Sequence, residues 1–105
     1  MIEAFIPTSA TRVVVYLQPV SMRWGVDKLR VFCRDEMRIE PNDSTCFLFV
    51  NRSRDTLLLY HLGFTGEQTL IKKLDKGSFL LPAPEEEGRP FVILRPVALK
   101  RLFRS

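Results

Sequence analysis

Three apolar runs between Cys46 and Pro82 constrain this chain more than any other feature. Residues 47–50, 57–62 and 69–74 have strand length, and two short polar stretches separate them, Asn51-Arg52-Ser53-Arg54-Asp55 and Gly63-Phe64-Thr65-Gly66. Connections of three to five residues are typical hairpin loops, and the two glycines supply backbone angles that other residues avoid. The segment therefore predicts three successive strands of an antiparallel sheet. In the third run Leu70, Lys72 and Leu74 alternate with Thr69, Ile71 and Lys73, so neither side is cleanly apolar. That pattern suits an edge strand better than a central one.

The rest of the chain supplies cover for that sheet. Residues 12–17 carry Val13, Val14, Val15 and Tyr16, the β-branched and aromatic types that fit a pleated surface, and stop before Pro19. From Ser21 the period changes. Met22, Val26, Leu29, Cys33 and Met37 recur at spacings of three and four, which predicts an amphipathic helix ending by Arg38, with Ser21 as its candidate cap. Gly25 within the first turns costs about 1 kcal/mol against alanine, and points to a close backbone approach or a later start. Arg23 and Asp27 are spaced to pair across one turn. Trp24 reads as a partly buried anchor or, if exposed, as a partner surface.

Residues 78–81 and 91–94 read as two further short strands, with an acidic loop at Glu85, Glu86 and Glu87 between them. Pro96 opens a terminal helix anchored by Val97, Leu99, Leu102 and Phe103. The expected architecture is α+β, a mainly antiparallel sheet of about five to six strands with one helix after the first strand and a short C-terminal helix. A length of 105 residues is one domain's worth, with residues 1–11 as a loose leader.

Sixteen Lys and Arg, eleven of them Arg, against twelve Asp and Glu give a net charge of +4 and lean the chain towards polyanions. Eight of these cations form three groups: Arg52 and Arg54 on one hairpin tip, Lys72, Lys73 and Lys76 beside the third run, and Lys100, Arg101 and Arg104 near the C-terminus. Phosphate binding is the functional reading of these residues, and ordinary solvation of a basic surface is the alternative. Two cysteines without zinc-site spacing, no secretory leader and no run long enough to span a bilayer predict a reduced, cytoplasmic setting without metal or cofactor. His61 is the only histidine, and no partner base or orienting acid can be assigned to it, so no catalytic residue is named; a small metal-dependent nuclease or hydrolase using His61 and nearby acids is the alternative from another class.

Two ordered motifs carry a family likeness. Residues 21–29, Ser-Met-Arg-Trp-Gly-Val-Asp-Lys-Leu, resemble the Asp-Met-Arg-x-Gly-x-Asp-x-Leu signature of the accessory proteins encoded by the second reading frame of insertion-sequence-66 type transposons, also labelled TnpB. The matching positions here are Met22, Arg23, Gly25, Asp27 and Leu29. Residues 72–79, Lys-Lys-Leu-Asp-Lys-Gly-Ser-Phe, resemble the family's Lys-Arg-Leu-Glu-x-Gly-x-Phe, with Gly77 and Phe79 in place. The chain departs from the pattern at Ser21, where the family has an acid, and at His61-Leu62-Gly63, where it has an aromatic-rich segment. The resemblance implies a non-catalytic role in DNA transposition beside a separate, larger transposase, with transposase or duplex DNA as partner and no membrane. A general nucleic-acid-binding protein unrelated to transposition is the remaining alternative.

Overall fold

The computed structural model describes residues 6–104, and of Lys100, Phe103 and Arg104 the backbone only. A five-stranded sheet forms the middle layer. Its strands are β1 (Arg12–Tyr16), β2 (Thr45–Val50), β3 (Thr56–Gly63), β4 (Gly66–Lys73) and β6 (Phe91–Leu94), in the order β4-β3-β2-β1-β6. Strand β5 (Ser78–Phe79) leaves this sheet and pairs with β7 (Phe103–Arg104) in a separate two-stranded ribbon. The α+β expectation holds, and so does the edge position of β4. The 78–81 segment, however, is shorter than expected and belongs to a different sheet.

The sheet is mainly antiparallel as expected, with one parallel pairing. Strands β1 and β2 run parallel, Val13 opposite Cys46 and Leu48 opposite Val15. The physical reason lies between them: helix α1 (Val26–Asp35) returns the chain to the end of the sheet where β1 began, and a parallel neighbour needs such a crossover. Every other pair in the sheet is antiparallel.

Alternation along the central strands divides the core between two faces. Val14, Phe47, Phe49, Leu58, Tyr60 and Phe91 point to the side covered by Leu29, Cys33 and Met37 of α1 and its flanks. Val13, Val15, Cys46, Leu48, Leu57 and Leu59 point to the other side, covered by Ile6, Ala10, Phe79, Leu99 and Leu102. Burial on both faces explains the unbroken apolar sequence of β2 and β3, whose residues would otherwise alternate with polar ones. Within the expected loose leader, residues 6–11 are thus docked: Ile6 and Ala10 are core residues, and Ser9 Oγ donates to Asp43. The rest of that leader, residues 1–5, lies outside the described residues.

Helix α1 starts at Val26 with Gly25 as its N-cap, so the later of the two starts is the one observed. Ser21 is not the cap. Its Oγ accepts the Arg23 N–H, making a turn ahead of the helix. Asp27 pairs with Arg30 at 2.6 Å and not with Arg23, because Arg23 lies ahead of the helix while three residues along it bring Asp27 and Arg30 onto one face. Arg30 also reaches across to β4, where Nε and Nη2 each donate to a Glu67 carboxylate oxygen at 2.9 Å. The Tyr60 hydroxyl donates to the same carboxylate from β3. These hydrogen bonds hold the Glu67 carboxyl below the usual range, Arg30 contributing most, while burial and then that bond push the Tyr60 phenol up.

Trp24 packs half-buried on Phe32, ring centroids 5.0 Å apart, with the Lys28 ammonium 4.7 Å above its ring. This is the anchor reading. The helix ends where Arg38 takes a left-handed conformation at φ 60° and the Ile39 N–H returns to the Cys33 carbonyl. The C-terminal helix opened by Pro96 is a 3-10 helix, Pro96–Leu102, in place of an α-helix, and it turns directly into β7. No helix among the described residues is long and apolar enough to cross a membrane.

Candidate nucleic-acid interface

The loop joining β2 to β3 is built around a single carboxylate. Asp55 Oδ1 accepts from Asn51 Nδ2 at 2.7 Å, from Thr56 Oγ1 at 3.0 Å and from Ser53 Oγ at 3.2 Å, while Asn51 Oδ1 accepts the N–H groups of Asp55 and Thr56. These bonds, Asn51's first, hold the Asp55 carboxyl below its ordinary pKa. The same loop carries Arg52 and Arg54, both exposed. Arg54 sits at φ 59°, its N–H bonded to the Asn51 carbonyl and its carbonyl accepting the Phe79 N–H at 2.7 Å. A positive φ at a non-glycine residue persists only where the surroundings fix it, so the two arginines are presented by a preformed loop.

The second group of cations converges on the same end of the sheet. Lys73 lies opposite Thr56 and Lys72 opposite Leu57, and the Leu74 N–H donates to the Asp55 carbonyl at 2.8 Å, binding the end of β4 to the arginine loop. Lys76 follows in the exposed turn before Gly77, whose φ of 79° is the kind that favours glycine. Of the third group only Arg101 has a described side chain. It is exposed, on the rim of an apolar hollow of about 220 Å³ lined by Leu80, Leu81, Leu94 and Leu102. The side-chain roles assigned to Lys100 and Arg104 lie outside the described residues.

Arg89 belongs with this set and was missed in the sequence because it follows three glutamates. Its guanidinium lies 4.4 Å from the centroid of the Phe91 ring, a stacking that holds the side chain over the start of β6. Arg89 and Arg54 line one cavity of about 420 Å³ together with Gln18, Pro82, Pro84 and Pro90. The signal available in the sequence was Arg-Pro-Phe, a cation held by a proline next to an aromatic strand start. Among the described residues no acidic side chain lines this cavity, although Glu85, Glu86 and Glu87 stand exposed in the loop that leads to it.

The motif residues have architectural positions. Leu29 and Phe79 are core residues, Met22 packs against the helix side of the core, and Gly25 and Gly77 mark the start of α1 and the turn into β5. Arg23 and Asp27 are exposed near the start of α1, remote in sequence from the cation loop. His61 is 2% exposed, its Nε2 lying 2.8 Å from the Asp43 carbonyl oxygen and its Nδ1 3.5 Å from Gln68 Nε2, which is the packed and hydrogen-bonded arrangement. Among the described residues no three of His, Cys, Asp or Glu gather as a metal site would need. Cys33 and Cys46 are buried free thiols, each pushed up to about 12 by burial.

No curated protein and no solved structure matches the chain. The family model described as IS66 Orf2 like protein matches residues 11–104, and the signature at the start of α1, the turn into β5 and the strand succession all fall inside that span, so the chain belongs to this family of accessory proteins of insertion-sequence transposition.

Proposed function

We propose that the chain serves DNA transposition without chemistry of its own, by holding transposon DNA through the cationic end of its sheet. Arg52, Arg54, Lys72, Lys73 and Lys76 form the contact surface, Arg89 completes the cavity beside Arg54, and Arg101, with its chain neighbours Lys100 and Arg104, adds the C-terminal cations. The observation that carries this reading is the braced loop that presents two arginines next to a cavity with a third and no acid among its described lining residues. Arginine forks suit phosphate oxygens, and contacts of this kind position a protein on duplex without reading sequence. Neutralising three phosphates gives a log–log salt slope of about −2.7, a loss of roughly fortyfold between 50 and 200 mM salt.

Fluorescence anisotropy with labelled duplex DNA across that salt range tests the proposal. Binding with such a slope, flattened by about one in Arg54→Ala, supports it; salt-insensitive or absent binding overturns it. One observation favours a second reading, docking on the transposase. The hollow beside Arg101 is apolar, and Leu80 on its wall is exposed. Co-purification with the transposase that fails in Leu80→Asp, without any DNA affinity, selects that reading.

A further inference from the structure

The two edges of the sheet differ in how they end. Strand β6 is four residues long and stands between Pro90 and Pro96, so little of it can accept another strand. Strand β4 has eight residues, and among the described residues only β3 pairs with it. Because Leu74 donates to Asp55, the even-numbered residues of β4 exchange the bonds with β3, and the N–H and C=O groups of Glu67, Thr69, Ile71 and Lys73 point away from the sheet. Ile71 is 55% exposed and Leu70 36% exposed on this strand. A long, partly apolar edge of this kind is a template for another strand.

We propose that the occupant is β4 of a second copy, paired antiparallel about a two-fold axis through Leu70. Symmetry and charge together select this arrangement. A two-fold axis normal to a sheet keeps each residue on its own face, so odd-numbered residues must meet odd-numbered ones. Centred on Leu70, the pairing sets Glu67 of each copy opposite Lys73 of the other and Thr69 opposite Ile71, with all four outward positions bonded. Centred on Thr69, it sets Glu67 against Ile71 and carries Lys73 into the hairpin turn. Centred on Ile71, it sets Glu67 against Asp75, like against like. Cross-strand opposite charges stabilise a pair and like charges oppose it, so the Leu70 register wins. Glu67 is held in place for this by Arg30, and one of its oxygens, Oε1, accepts from Arg30 Nη2 with room for a further donor.

The proposal shares Lys73 with the DNA reading but does not rest on it, and its tests use residues outside the cation set. The purified full chain is followed by sedimentation and light scattering from low to high micromolar concentration, with a mass twice the 12.2 kDa monomer expected at the upper end. Thr69→Pro removes an N–H that points away from β3, so the fold survives by circular dichroism while dimer affinity falls on the order of tenfold or more. In Leu70→Cys the facing residues form a pair with Cα atoms about 4.5 Å apart, within disulfide reach, and air oxidation gives a covalent dimer. Gln68→Cys, on the same face but opposite Lys72, stays uncrosslinked. Monomer mass at every concentration with no Leu70→Cys dimer overturns the proposal and leaves the edge to a strand of some other protein. Crosslinking of Gln68→Cys as readily as Leu70→Cys overturns the register.

Discussion

Strands β3 and β4 lie side by side over eight paired residues, yet one is buried along most of its length and the other is the most open strand of the sheet. In β3 the run from Thr56 to His61 is buried on both faces, because α1 covers Leu58 and Tyr60 while Phe79 and the 3-10 helix side cover Leu57 and Leu59. In β4 Ile71, across from Leu58, is exposed, since α1 sends only the Arg30 side chain that far. A shared ladder does not give shared burial. What lies above and below a strand decides whether its side chains stabilise the fold or remain for a partner, and β4 is fastened by Glu67 rather than by apolar packing.

The largest test of that contrast is a pair of truncations at neighbouring sites. Leu59→Ala opens a cavity in a closed layer and costs about 2–5 kcal/mol in urea unfolding, whereas Ile71→Ala, measured on the monomer at low concentration, stays within about 0.5–1 kcal/mol. Equal costs would break the comparison. Next in size, Tyr60→Phe removes the hydroxyl by which β3 reaches Glu67, and costs about 1 kcal/mol with no change in mass or helix content.

The same carboxylate sharpens the comparison through pH. Glu67 and Asp55 both titrate lower in the folded chain than in the unfolded one, so their contribution is complete above an unfolded value of about 4 and is lost as pH falls through the depressed folded values. The melting temperature therefore falls below about pH 4–5, and Glu67→Gln makes that fall shallower. The smallest effect comes from the helix that bears on both strands. Gly25→Asp supplies the side-chain cap that α1 lacks, where no atom lies within 4 Å of the added Cβ, and raises stability by about a few tenths of a kcal/mol.

Much of β3 and β4 was legible in the sequence because hairpins are local. Five residues from Asn51 to Asp55 and two glycines near Phe64 are enough to fold residues 45–73 back on themselves. The order of the remaining strands was not legible, since periodicity reports which face is apolar and says nothing of which strand lies next to which. The parallel pairing of β1 with β2 is therefore an outcome of where α1 delivers the chain. The bridge from Arg30 to Glu67 spans 37 residues and leaves no local pattern, unlike the spacing of Arg23 and Asp27, which suggested a pair that does not form. Arg52, Arg54, Lys72, Lys73 and Lys76 were legible as groups, but their meeting at one sheet end depended on the hairpin register. Arg89 was hidden by its acidic neighbours until the ring of Phe91 fixed its position.

The placement of β1 between β2 and β6 sets a timetable for synthesis. Its first neighbour is made some thirty residues later and its second only when Phe91–Leu94 has been translated. Until then Val13–Val15 has one flank open, so a nascent chain halted before Phe91 exposes a sticky valine edge. A chain cut before Phe91 therefore carries an unpaired strand edge that β6 would otherwise cover.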